Sequence, residues 1–78
     1  MINNKLELLN KLENITQMKD FNNWIEELKS YIITKYKENS SEYKTLEGYN
    51  NILSMYFMNK EIPSSQKEKY KNFLNQLS

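Results

Sequence analysis

The chain has no cysteine, no histidine and no arginine, and it carries one glycine and one proline in 78 residues. Each absence removes a class of chemistry. Without Cys there is no disulfide to staple the fold and no thiolate to bind zinc or attack a carbonyl. Without His the usual general base near neutral pH is missing, along with the commonest metal ligand. A single Gly excludes a glycine-rich phosphate loop. All eleven basic residues are Lys, so no guanidinium fork is present to grip phosphate or guanine, and a net charge of +1 recruits no polyanion. Nucleic acid is therefore not an expected partner.

Long apolar runs are missing too. No window approaches the roughly 18 residues of a transmembrane helix, and the opening MINNKLELLN holds no apolar run of signal-peptide length. The expected location is the cytoplasm, with at most a peripheral contact at the inner membrane face. What remains for catalysis is carboxylate. Glu26 and Glu27 are adjacent in a helical pattern and do not share a face, and with Asp20 they lie opposite the apolar stripe, where they read as a solvated helix face. No catalytic, cofactor-binding or metal-binding residue is assigned, and the chain is expected to bind rather than to catalyse.

The residues that are present encode helices. Hydrophobic residues make up 38% and aromatics 13%, enough for a packed core in one domain spanning residues 1–78. Low Gly and Pro content favours long helices over a many-turned β fold. Leu8, Leu9, Leu12 and Ile15 on one face, flanked by Ile2 and Leu6, predict a helix over about 4–17, started by the Asn4/Glu7 spacing of a capping box. Phe21, Trp24, Ile25, Leu28, Tyr31, Ile32 and Tyr36 predict a second helix with Asp20 as N-cap, running to about Lys37. Leu46, Tyr49, Ile52, Leu53, Tyr56 and Phe57 form a third stripe interrupted by Gly48. Either one helix starts near Ser41, or a short turn ends at Gly48 and the main helix runs from Tyr49 to Asn59; the continuous helix is preferred. Ile62-Pro63 breaks the pattern, and Ser65 with Glu68 matches a capping box for a fourth helix over about 66–77. No such helix buries its stripe alone, and short connections favour antiparallel neighbours. The expected fold is all-α, an antiparallel up-down four-helix bundle.

Six tyrosines and a tryptophan among many lysines could suggest base-stacking platforms. Trp24, Tyr31, Tyr49, Tyr56 and Tyr70 sit on the stripes, however, and read as core; Tyr36 and Tyr43 are the two expected at the surface. In Met55-Tyr56-Phe57-Met58 apolar residues cover more than one helix face, so part of the run reads either as a central helix or as a partner patch. Lys60, Lys67, Lys69 and Lys71 give the C-terminal end a mild positive bias, which is either a solvated face or a weak attraction to anionic headgroups.

The stretch NILSMYFMNKEIPSSQKEKYKNFLNQL resembles the end of immunity proteins for pediocin-like (enterocin A-type) bacteriocins. The shared pattern is an aromatic-rich helix ending in Asn59-Lys60, an Ile62-Pro63 turn, then a short helix with Tyr70, Phe73, Leu74 and Leu77. The upstream part is similar in outline only, Trp24 is not a mark of that family, and many members carry a tail beyond the fourth helix. The resemblance implies an antiparallel four-helix bundle in the producer's cytoplasm. It also implies protection of the cell through contact with a membrane receptor once bacteriocin is bound, with specificity in the C-terminal half. On that basis the working surface is expected at Met55, Met58, Lys60, Ile62, Pro63, Lys67 and Lys71. A second stretch, KDFNNWIEELKSYIITKYKENSSEYKTLE, is similar to a helical segment beside effector domains of prokaryotic antiviral proteins. The alternative is thus a small phage- or plasmid-encoded interaction protein that inhibits a host defence factor. Either would act as a monomer or homodimer.

Overall fold

The computed structural model describes residues 4–77, and within them the chain forms four α-helices and no strand. These are α1 (Lys5–Glu13), α2 (Met18–Tyr36), α3 (Ser41–Leu53) and α4 (Ser64–Gln76), with a 3₁₀ turn at Ser54–Tyr56. Ile2, expected to flank α1, lies outside the described residues.

The start of α1 follows local sequence. Asn4 is the N-cap, its Oδ1 accepting from the Glu7 amide at 2.9 Å while its Nδ2 donates to the Glu7 carboxylate. Ser40 caps α3 in the same way, accepting from the Tyr43 amide.

The end of α1, the starts of α2 and α4 and the end of α3 differ from expectation, and for the first two long-range backbone pairing is the reason. The first helix stops at Glu13 instead of about 17, because the chain turns extended so that Thr16 can accept from the Ile62 amide. Asp20 is not the N-cap of α2. That position belongs to Gln17, which offers no side-chain bond; the Met18 amide donates instead to the Lys60 carbonyl at 2.8 Å. Residues 16–18 and 60–62 thus form a two-bond antiparallel clip around Gln17 and Glu61. Nor do Ser65 and Glu68 act as a capping box. The N-cap of α4 is Pro63, whose carbonyl accepts from the Gln66 and Lys67 amides. α3 ends at Leu53 and tightens into the 3₁₀ turn rather than continuing to Asn59, which lets the chain swing back to the clip.

α3 does run unbroken through Gly48. A Cβ there would meet nothing within 4 Å, and the backbone φ is ordinary. Gly48→Ala is therefore expected to stabilise the protein by about 1 kcal/mol, read as a higher urea midpoint, through helix propensity alone. Lys37 is the reverse case. It ends α2 at φ 82, ψ 158, a region that only Gly occupies without strain. Lys37→Gly should raise stability by about 1 kcal/mol, since relief of roughly 1–3 kcal/mol of strain outweighs the entropy glycine adds to the unfolded chain. An unchanged midpoint would show that the strain is absent.

The core draws on all four helices: Leu8 and Leu12 from α1; Phe21, Trp24, Ile25, Leu28, Tyr31 and Ile32 from α2; Leu46 and Leu53 from α3; Tyr70, Phe73 and Leu74 from α4. At its centre Phe21 stacks on Trp24 with ring centroids 5.5 Å apart. Tyr70 meets both rings edge-on, at 5.1 and 6.0 Å, and meets Tyr49 at 5.9 Å. The Trp24 indole donates to the Leu8 carbonyl at 2.9 Å, which ties α2 to α1. The Tyr70 hydroxyl donates to Asn50 Oδ1 at 2.6 Å, which ties α4 to α3. Tyr36 and Tyr43, expected at the surface, are half-buried and pack against this core.

Candidate functional site

The exposed apolar surface gathers at the end of α3. Met55, Phe57 and Met58 are 78%, 68% and 81% exposed, and Ile52, one turn earlier, is 43% exposed. The cause is local. Ile52 sits on the outer side of α3 while Leu46 and Leu53 take the core side. Past Leu53 the chain leaves α-helical geometry for a 3₁₀ turn at Ser54–Tyr56, so the stripe of α3 is not continued and Met55, Phe57 and Met58 are left in solvent. Only Tyr56 leans inward, packing half-buried on the core. From Gly48 to Asn59 the chain carries no charged residue, and Lys60 follows, exposed. The other large exposed apolar residues, Leu6 and Ile33, come from α1 and α2.

The seven residues expected to form one surface divide into three groups. Met55, Met58 and Lys60 lie on the exposed turn. Ile62 is not exposed, which corrects the expectation: the clip turns it inward, and it joins the core at 9% exposure. Pro63 is half-buried at the N-cap of α4.

Lys67 and Lys71 face α1. The Lys67 ammonium donates to the carbonyls of Glu13 and Ile15 at 3.0 and 2.8 Å, where the end of α1 leaves carbonyls unpaired. It is a structural cap, and a role in recognition does not follow from its charge. Lys71 lies 3.9 Å from the Glu13 carboxylate, both largely solvated, a pairing that contributes little. These two lysines, with Leu9, Leu12, Glu13 and Glu68, line a cleft of about 310 Å³ between α1 and α4. None of Met55, Met58 or Lys60 reaches it.

Phe57 belongs to the exposed group and was not among the expected site residues. Its signal was the 55–58 run covering more than one face, but helical periodicity carried Phe57 into the core stripe. Among the described residues no cluster of three or more acidic side chains could hold a metal ion, and no helix is long and apolar enough to cross a membrane.

Comparison with protein-family models, curated proteins and solved structures gave no match to this chain. The functional reading therefore rests on the residues themselves.

Proposed function

We propose that the chain is a binding protein of the bacteriocin-immunity type, which protects its cell by protein–protein contact from the cytoplasmic side, and that the Met55–Met58 turn is its contact surface. The observation that carries the reading is the group of three large apolar side chains, Met55, Phe57 and Met58, held in solvent at one turn. Isolated exposed hydrophobes are ordinary, but three within four residues form a patch of the sort that marks interaction sites. Met and Phe are also residue types enriched in interface cores. The resemblance of residues 52–77 to pediocin-like immunity proteins supplies the biological setting, in which a membrane receptor complex is the partner.

In this reading the four helices form the up-down antiparallel bundle of that family. The chain-neighbour packing of α1 with α2 and of α2 with α3, closed by α1 on α4, supports it. The bundle then serves as a scaffold that presents the turn.

The test is the growth sensitivity of a bacteriocin-susceptible lactic acid bacterium, with and without the protein expressed, against a panel of pediocin-like peptides. Protection is expected against one or a few of them. The variant Met55→Ser/Phe57→Ser/Met58→Ser should abolish protection while leaving helical circular dichroism unchanged, because none of the three side chains is buried. Lys67 is unsuitable for such a test, since replacing it would loosen the end of α1. Full protection by the folded triple variant would refute the site. No protection by the native protein would refute the immunity reading and favour inhibition of a host defence factor.

A further inference from the structure

Met55 and Met58 offer two thioethers to solvent, at 78% and 81% exposure, on either side of the exposed Phe57. Met18 is 3% exposed and enclosed in the core at the start of α2. The chain has no cysteine, so no thiol competes for an oxidant. Methionine oxidation follows access to the sulfur, and it turns a flexible apolar side chain into a polar one.

We propose that Met55 and Met58 form a paired oxidation site, at which a peroxide-class oxidant switches the exposed turn from apolar to polar without disturbing the fold. The sulfur lone pair attacks one peroxide oxygen, an S–O bond forms as the O–O bond breaks, and the second oxygen takes the proton of the first and leaves as water. Each thioether loses two electrons and the peroxide gains them. The sulfoxide oxygen is a strong hydrogen-bond acceptor, so burying either side chain against an apolar partner would strip it of water without replacement. The core does not take part, because neither side chain is among the buried residues. The inference rests on the proposed contact surface only for its effect on protection; the oxidation itself is a property of the isolated chain.

The experiment treats the folded full chain with hydrogen peroxide and follows oxygen addition at Met18, Met55 and Met58 by peptide mass mapping. Met55 and Met58 should oxidise together, with Met18 slower by on the order of tenfold or more. Retention on a phenyl column should fall as they react, while helical circular dichroism holds constant. Met55→Leu/Met58→Leu should show no oxygen addition at positions 55 and 58, and its retention should fall by less than that of the native chain under the same treatment. Oxidation of Met18 at the same rate, or unchanged retention after both sulfoxides form, would overturn the proposal. In cells, Met55→Gln/Met58→Gln mimics the polar state and should lose protection that the Leu variant keeps. If the native protein gives no protection, the immunity reading fails while the peroxide result stands.

Discussion

Trp24→Ala should cost about 4 kcal/mol of folding stability, within the roughly 3–5 kcal/mol range for removing a large aromatic from a packed core. Trp24 is 1% exposed, stacks on Phe21, meets Tyr70 edge-on and donates its indole N–H to the Leu8 carbonyl. The substitution therefore removes the ring that joins three helices and leaves a cavity with walls from all three. A chain of this size has little stability in reserve, since small domains bury a smaller fraction of their surface. A loss of this size corresponds to a melting point lower by about 15–30 °C, so the variant should be largely unfolded at 37 °C. Trp24→Phe separates the two contributions, because it keeps a ring and removes the donor; it should cost about 1–2 kcal/mol. Urea midpoints followed by circular dichroism measure both. A loss below about 1.5 kcal/mol for the alanine variant would mean that Trp24 is not central to the core.

Tyr70→Phe carries the second-largest expected effect, and its dependence on pH is the sharper test. At neutral pH the variant loses the hydroxyl that donates to Asn50 Oδ1 at 2.6 Å, leaving that oxygen without its donor, at a cost of about 1–3 kcal/mol. Replacing both partners, as in Asn50→Leu/Tyr70→Phe, should recover much of the loss, because no polar group is then stranded. Burial pushes the Tyr70 phenol well above its ordinary value, with a smaller contribution from Tyr49. The folded state therefore holds the proton more tightly than the unfolded chain. That stabilisation is fully present below about pH 10, where a free phenol ionises, and it is lost as pH rises toward the folded value. Above pH 10 the native protein should lose stability faster than Tyr70→Phe, so the gap between them narrows by up to about 1.4 kcal/mol per pH unit. The remaining titrating residues are common to both and cancel in the difference. A constant gap from pH 7 to 11 would show that the Tyr70 hydroxyl is not buried in the folded state.

Which parts of this structure were legible in the sequence follows from where each part gets its partners. The stripes of α1, α2 and α4 are local periodic signals, and Leu8, Leu12, Trp24, Leu28, Tyr70 and Leu74 all went to the core as their spacing indicates. The cap at Asn4 is local as well, formed by a side chain reaching three residues ahead. Where α1 ends and α2 begins was not legible, because the Thr16 carbonyl and the Met18 amide are satisfied from residues 60–62, at the far end of the sequence. Asp20 looked like a cap because nothing nearby revealed that Met18 already had a partner. The same pairing accounts for Ile62. Its position beside Pro63 suggests an exposed turn, but its amide is drawn into the clip and its side chain into the core. For the candidate site, the 55–58 run was visible as an anomaly of pattern. Its resolution into one inward and three outward residues depends on the tightening from α-helix to 3₁₀ turn, and no residue in the run signals that change.

The two bonds of the clip that closes this end of the molecule are made from main-chain atoms, so outside the buried Met18 and Ile62 it makes little demand on which amino acids occupy it. Thr16, Gln17, Lys60 and Glu61 contribute no side-chain bond to it, and only a proline at Met18 or Ile62 would remove one of its two donors. Mutational drift can therefore rewrite the residues next to the exposed turn without shifting how the turn is held. Geometry and surface chemistry are inherited separately there, an arrangement that lets a lineage change the side chains presented around the turn while the scaffold stays the same.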